Sequence, residues 1–210
     1  SLDEWQNMLI NLHKEKNPDF EIPKLKKINP IELLNFYRYD VIFKYIYVKY
    51  NYLLYSINEL KNTWYKQIYT DHIRVFNGGY EMKTIYQNEE KNTIDNFLQR
   101  FNDLMNNFYI KEFQCTEIPI GIDNNYKYLL NGSHRTACSI YFKEDLVVKE
   151  YENQKFICKM EYFKNRDKFK DQMPLPGKNL LNNLSQEFLD ISIIEYVKLK
   201  SKNVRLLTFF

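Results

Sequence analysis

The segment 117–142 constrains the fold more than any other part of this chain, because its pattern changes from strand to helix within one short run. Three isoleucines alternate with other residues at its start, at Ile118, Ile120 and Ile122. This alternation predicts a half-buried strand over 117–123. The pair 124–125 is Asn-Asn, which favours a tight turn into a second strand over 126–130. The triplet 131–133 is Asn-Gly-Ser, and a helix is expected from 134 to 142. The segment therefore predicts a hairpin followed directly by a helix.

Helical spacing of apolar residues marks four other segments. The clearest is Thr93–Phe108, where one apolar stripe follows Asn92 and Thr93, both of which can cap a helix. The same spacing predicts helices over 2–12, 31–66 and 180–200. Short apolar runs predict further strands over 73–76, 146–151 and 155–163. A mixture of helices and short strands around a hairpin indicates the α+β class.

The composition says little about binding partners but indicates the cellular compartment. The chain has 30 basic and 27 acidic residues and a net charge of +3, a balance that predicts neither a nucleic-acid nor a membrane partner. The most apolar stretch, 41–57, is interrupted by Lys44 and Lys49, so no transmembrane segment is expected. The 3 cysteines of the chain lie far apart, which is typical of free thiols in a reducing, cytoplasmic protein without a structural zinc site.

The rare small residues cluster around one turn. Ala137 is the only alanine, and Gly132 is one of 5 glycines. Between them stand Ser133, His134 and Arg135, at a helix start whose first N–H groups have no intrahelical partners and favour an anion. Arginine can hold phosphate oxygens by two parallel hydrogen bonds. The alternative is a serine cap, a structural histidine and a surface arginine. We expect a nucleotide or phosphate site formed by Asn131, Gly132, Ser133, His134, Arg135 and Thr136.

The run 93–142 resembles the ParB/sulfiredoxin-like superfamily. An amphipathic helix, an IPI strand and a hairpin precede LLNGSHRTA at 129–137, which is similar to the DGxHRxAA signature of the ParB-like branch that includes an ADP-dependent serine kinase. The resemblance implies an α+β ParB/sulfiredoxin-like nucleotide-binding domain over 71–176. It leaves a helical N-terminal extension over 1–70 and a C-terminal helical segment over 177–210.

Departures from the family pattern narrow what the resemblance implies. Sulfinic-acid reduction would need Cys where Ser133 stands. Partition proteins carry an arginine-rich box, whereas Arg135 is the one arginine of this motif, so a nucleic-acid partner is not expected. The kinase-like relatives have Asp where Asn131 stands, and a neutral amide supplies no charge for a metal ion or a general base.

A second cluster is a candidate contributor to the same site. Gly78 and Gly79 form a glycine-rich turn, and the acid Glu81 follows. In the serine-kinase relatives an acid upstream of the signature acts as base toward the substrate hydroxyl, which implies this role for Glu81, with Asp71 and Glu117 as rivals. The alternative is a surface turn with a solvated glutamate. His72 could face the site or be a structural or exposed histidine.

The resemblance implies a phosphotransferase. We expect a small-molecule kinase that uses ATP, ADP or another nucleotide, with His134 and Glu81 as catalytic residues; Mg²⁺ is compatible with this chemistry. The acceptor would be a hydroxyl, with a sugar or surface-glycan precursor as candidate. One alternative is a non-catalytic nucleotide- or sugar-phosphate-binding module of a larger multidomain enzyme. Another is a partition-type DNA-binding regulator, which predicts a strongly basic face.

Overall fold

The computed structural model describes residues 25–55, 63–77, 93–112, 117–124, 126–165 and 183–203. The strands and α-helices of this part are, in chain order, β1 Leu25–Ile28, α1 Asp40–Tyr55, α2 Trp64–Asn77, α3 Ile94–Tyr109, β2 Ile118–Asp123, β3 Tyr126–Leu129, α4 Ser133–Phe142, β4 Leu146–Glu152, α5 Met160–Lys164 and α6 Gln186–Asn203. A 3-10 helix, Pro30–Leu33, follows β1. The helix expected over 2–12 and the cluster 78–81 lie outside the described residues.

The four strands form one mixed sheet in the order β1-β4-β2-β3. β2 and β3 make the expected antiparallel hairpin, with Ile120 opposite Leu129. β4 runs parallel to β2, with Ile118 opposite Val148, so the connection from the hairpin to β4 passes through α4. β1 completes the sheet antiparallel to β4. The α+β class is therefore confirmed.

Gly121 in β2 is required by a close backbone crossing. A Cβ atom at this position would lie 1.8 Å from the carbonyl oxygen of Gln154, a distance that no side chain can tolerate. The crossing follows from the loop after β4, where the N–H of Asn153 donates to the carbonyl oxygen of Ile122 over 2.9 Å. Glycine in a strand interior often marks such an approach.

Helix α1 is the centre of the core. Its residues 40–48 are all buried, because α1 packs against α2, α4 and α6. A helix that is buried on every side shows no polar stripe, which explains why residues 41–48 are apolar or aromatic except for Lys44. β1 and α1 both come from the segment 1–70, so that segment contributes to the same sheet and core as the hairpin.

The single helix expected over 31–66 is wrong. Pro30 begins a short 3-10 helix, and the side chain of Asn29 caps it by accepting from the N–H of Ile31. The backbone then turns, with the Asn35 side chain accepting from the N–H of Tyr37, and α1 begins only at Asp40. A separate helix, α2, begins at Trp64. Local side-chain caps break the helical run, and hydrophobic spacing alone does not register them.

The strand expected over 73–76 is also wrong, because these residues form the last turn of α2. A four-residue segment with three apolar side chains cannot distinguish a strand from a buried helix segment. The preceding residues decide the matter, since the buried positions of α2 follow the helical period: Tyr65, Ile68, Tyr69, His72 and Ile73.

The strand expected over 155–163 is reduced to one isolated bridge. Cys158 pairs with Arg38: its N–H donates to Tyr37 over 2.6 Å, and its carbonyl accepts from Tyr39 over 2.9 Å. Helix α5 follows at once, and its Tyr162 hydroxyl bonds the carbonyl oxygen of Phe76 at the end of α2 over 3.0 Å. The backbone of Cys158 and the hydroxyl of Tyr162 therefore bond to distant parts of the chain instead of forming the hydrogen bonds of a strand.

Strand β4 and two further helices agree with expectation, whereas β1 lies in the segment 1–70 that was expected to be helical. Thr93 caps α3 by accepting from the N–H of Asn96 over 3.2 Å, and the buried stripe of α3 contains Phe101 and Met105. The helix expected over 180–200 is present as α6, which begins at Gln186. Among the described residues, no helix is long and apolar enough to cross a membrane.

Candidate functional site

The candidate site is the turn that joins β3 to α4, and its shape depends on Gly132. Gly132 has φ +86°, in the left-handed region, and forms the N-cap of α4 without a capping side chain. Its N–H donates to the side-chain oxygen of Asn131 over 2.7 Å, and the N–H of Leu130 donates to Pro119 over 3.1 Å. The turn is therefore held close to the start of β2, and α4 begins where the sequence indicated.

The guanidinium of Arg135 folds back over this glycine. A Cβ atom on Gly132 would lie 3.2 Å from Nη2 of Arg135 and 3.2 Å from Cδ1 of Ile118. Nη1 of Arg135 donates to the carbonyl oxygen of Glu117 over 3.4 Å. A fixed positive charge thus lies beside the first N–H groups of α4, which carry the positive end of the helix dipole.

Ser133 and Thr136 face inward rather than toward solvent. The Thr136 side chain is fully buried, and its hydroxyl donates to the carbonyl oxygen of Gly132 over 3.1 Å. Ser133 is 9% exposed. The hydroxyl of Thr136 therefore stabilises the turn itself, whereas Asn131 is exposed at its rim.

His134 is half-buried and points toward α2 and α3. Its Nε2 atom lies 2.8 Å from the hydroxyl oxygen of Tyr69, and its ring meets the ring of Phe101 edge-on at 4.6 Å. Tyr69 is fully buried, and burial raises the pKa of its phenol well above the ordinary value. Tyr69 belongs to the site, although no sequence motif marks it.

A buried ionic cluster lies beneath the turn, and it consists of Arg38, Asp40 and Lys44. Arg38 donates to both carboxylate oxygens of Asp40, over 2.8 and 2.9 Å, and Lys44 donates to the same carboxylate over 2.8 Å. Arg38 also donates to the carbonyl oxygen of Leu129, the last residue of β3. The cluster therefore connects α1 to the strand that leads into the turn.

Burial and charge pairing act against each other in this cluster. Burial alone would raise the pKa of Asp40, but Arg38 and Lys44 outweigh it and hold that pKa well below the ordinary value. Burial lowers the pKa of Lys44, and Asp40 opposes the shift only in part. The sequence signal for this buried pair was the spacing of Asp40 and Lys44, which lie four positions apart at the start of the most apolar stretch of the chain.

His72 is a core residue and does not reach the turn. It is 2% exposed and packs between the rings of Phe43 and Phe163, at 5.3 and 5.4 Å. Within the described residues, neither ring nitrogen makes a hydrogen bond of ordinary length and angle. Burial, reinforced by the charge of Lys44, lowers the pKa of His72 well below the ordinary value, so the ring is neutral.

The three acids considered as general base have different positions. Glu81 lies outside the described residues. Asp71 is engaged by Arg74 over 3.0 Å and by Gln67 over 2.8 Å on its own helix. Glu117 is adjacent to the turn, because its carbonyl contacts Arg135, and its carboxylate lies 3.9 Å from Nζ of Lys149. Of the described acids, Glu117 is the one whose backbone contacts the site.

The cysteines supply no reactive group to the described part of the site. Cys138 is fully buried, and burial raises the pKa of its thiol. Cys158 is buried at the bridge to Arg38, and burial also raises its pKa. In residues that the structure describes, no three metal-ligating side chains come together.

Comparison with known proteins identifies no relative. No protein-family model matches the chain, and neither curated proteins nor solved structures give a significant match. The similarity of LLNGSHRTA to the ParB/sulfiredoxin-like signature therefore remains a resemblance in sequence. The function has to be argued from the site itself.

Proposed function

We propose that the turn from Asn131 to Thr136 binds a phosphate group of a nucleotide and that the protein is a small-molecule phosphotransferase. The observation that carries this proposal is the position of the Arg135 guanidinium, which lies against Gly132 at the start of α4. Helix N–H groups and a guanidinium at one place form the combination that phosphate oxygens require. The class of nucleotide is ATP, ADP or a related compound.

The residues of the turn have distinct roles in this proposal. The left-handed backbone at Gly132 lets a phosphate approach the N–H groups of Ser133 and His134 without a side chain in the way. Arg135 neutralises charge on the phosphate oxygens, which is the main contribution a protein makes to phosphoryl transfer. Thr136 holds the turn from below through its bond to Gly132.

The acceptor is a hydroxyl group of a small molecule, and a sugar or surface-glycan precursor is the class we propose to test first. When bound, the nucleotide supplies the phosphoryl group. An acid beside the turn would take the hydroxyl proton. The backbone carbonyl of Glu117 accepts from Arg135, which supports this role for Glu117; Glu81 remains the alternative residue.

Calorimetry tests the binding step directly. Titrations with ATP, ADP and CTP, each with and without Mg²⁺, should show binding of at least one nucleotide. Arg135→Gln should weaken that binding about 10- to 100-fold, since a hydrogen bond to a charged group contributes about 1.5–3 kcal/mol. The control is Lys143→Gln, which removes a positive charge from the opposite end of α4. A chain that binds none of the nucleotides would contradict the proposal.

Turnover separates the enzyme from a binding module. Nucleotide consumption is measured with a panel of sugars and hydroxyl amino acids as acceptors. We expect His134→Ala to reduce the turnover rate strongly and the free energy of unfolding only slightly. Of Glu117→Gln and Glu81→Gln, the variant that loses turnover but still binds nucleotide identifies the base. Asp71→Asn is the matched control, because Asp71 is engaged by Arg74 and Gln67. Tight binding without consumption on any acceptor would instead favour the non-catalytic module.

A further inference from the structure

We infer that Tyr69 is a positioning residue that holds His134 as a neutral imidazole with its proton on Nδ1. The inference rests on the proposed phosphate site for its functional meaning, but its geometry stands independently of any ligand. Tyr69 comes from α2 and His134 from the first turn of α4, two elements that lie 65 positions apart in the chain. Their contact joins the middle of one helix to the functional end of another.

The direction of the hydrogen bond follows from the burial of Tyr69. Its phenol is fully buried, and a buried O–H group requires an acceptor. In the part of the chain that the structure describes, the hydrogen-bond partner of the Tyr69 hydroxyl is Nε2 of His134, at 2.8 Å. Because burial raises the pKa of Tyr69, the phenol stays protonated, and its O–H group donates a hydrogen bond to Nε2.

The tautomer of His134 follows from that direction. A ring nitrogen that accepts a hydrogen bond carries no proton, so the proton of the neutral ring lies on Nδ1. The ring plane is also fixed, since the ring packs edge-on against Phe101 at 4.6 Å and edge-on against Tyr69 at 6.0 Å. His134 is therefore orientated by the core before any ligand binds.

The assigned tautomer defines what His134 can do for an anion. A neutral imidazole protonated on Nδ1 carries its single N–H donor on that atom, and phosphate oxygens are acceptors. The ring then acts beside Arg135 as an oriented donor rather than as a second cation. Tyr69 contributes to phosphate recognition through His134 and without contacting the ligand.

Tyr47 provides a matched control for Tyr69. It lies in the same buried stack, with its ring 4.8 Å from that of Tyr69 and 5.2 Å from that of Phe101. Its hydroxyl donates to the side-chain oxygen of Asn102 over 2.8 Å, so it serves a different partner. Tyr47→Phe and Tyr69→Phe therefore remove one buried hydroxyl each from the same aromatic cluster.

The experiment is long-range ¹H–¹⁵N spectroscopy of the protein labelled with ¹⁵N-histidine, at a pH where the histidines are neutral. Signals of His134 are assigned by their loss in His134→Asn. We expect protonated Nδ1 and bare Nε2 in the wild type and in Tyr47→Phe, and averaging of the two tautomers in Tyr69→Phe. A protonated Nε2 in the wild type, or an unchanged pattern in Tyr69→Phe, would overturn the inference.

Binding measurements connect the tautomer to the site. Tyr69→Phe should weaken the affinity for the nucleotide about three- to tenfold, the range of one neutral hydrogen bond, whereas Tyr47→Phe should change it less than about twofold. Equal losses in both variants would assign Tyr69 a purely structural role and overturn its role in recognition. Absence of nucleotide binding by the wild type would refute the proposed function, and the spectra would still decide the tautomer.

Discussion

The buried guanidinium of Arg38 donates a hydrogen bond to the carbonyl oxygen of Leu129, 91 positions further along the chain. Leu129 ends β3, and the turn at Gly132 follows directly. The same guanidinium is held by both oxygens of Asp40, which also binds Lys44. The strand that leads into the candidate site is thus fixed by an ionic cluster at the start of α1.

Loss of the central carboxylate of this cluster should strongly destabilise the folded protein. Asp40→Asn keeps the shape of the side chain but leaves Arg38 and Lys44 buried without their counter-charge, and we expect it to lower the free energy of unfolding by about 3–5 kcal/mol. Chemical denaturation measures this change.

The control for Asp40 is an exposed ion pair. Asp145 lies 3.4 Å from Lys27, and both side chains are more than half exposed. Asp145→Asn should therefore change the free energy of unfolding by less than about 1 kcal/mol. Equal effects of the two substitutions would contradict the stabilising role assigned to the buried cluster.

Gly132 should not tolerate a side chain. Gly132→Ala combines a left-handed backbone with contacts of 3.2 Å to Ile118 and Arg135, and we expect a loss of about 1–3 kcal/mol of unfolding free energy. Affinity for the nucleotide should fall as well, because Arg135 would have to move.

The opposite end of the same helix offers the reverse experiment. Lys143 has φ +59° at the C-cap of α4, where glycine is the preferred residue. Lys143→Gly relieves the backbone there, so the free energy of unfolding should stay constant or rise by up to about 1 kcal/mol. A larger loss for Lys143→Gly than for Gly132→Ala would show that the backbone argument is wrong.

His72 should make stability depend on pH. Its pKa is lowered in the folded state mainly by burial and by the charge of Lys44, which outweigh the opposing effects of Asp40 and of the Tyr69 backbone. The unfolded state therefore takes up the proton first. The full contribution to stability is present above the unfolded pKa of about 6.5 and is lost as the pH falls from there toward the folded pKa, at up to about 1.4 kcal/mol per pH unit.

The variant His72→Phe isolates this contribution. In the part of the chain that the structure describes, the ring nitrogens of His72 make no hydrogen bond of ordinary geometry and aromatic rings lie against it, so phenylalanine suits the position. Denaturation at a series of pH values should show a flatter dependence for His72→Phe than for the wild type. Asp40 does not interfere, since its lowered pKa places its own effect below about pH 4. Parallel curves would exclude His72 as the source.

Glu195 should attach α6 to the core. It is 2% exposed and accepts from Lys49 over 2.6 Å and from the hydroxyl of Tyr50 over 3.1 Å, both on α1. Glu195→Gln should lower the free energy of unfolding by about 2 kcal/mol, the range of charged hydrogen bonds. Glu187→Gln, exposed on the same helix, is the control and should have an effect below about 1 kcal/mol. The reverse order would contradict this role.

Prediction from sequence succeeded where local pattern and tertiary environment agree. The hairpin of β2 and β3, the helix α3 with its Thr93 cap, and the start of α4 after Gly132 all follow from short-range signals. It failed at 73–76 and 155–163, because short segments rich in apolar residues fit a buried helix or an isolated bridge as well as a strand.

The candidate site divides in the same way. By itself, the sequence determined the residues of the turn, since glycine, helix start and arginine are local features of Asn131 to Thr136. Only the tertiary structure decided what supports them: Tyr69 on His134, Arg38 on Leu129, and the neutral His72 in the core. Those contacts join residues far apart in the chain, and their chemistry depends on burial, which no local pattern of residue types records.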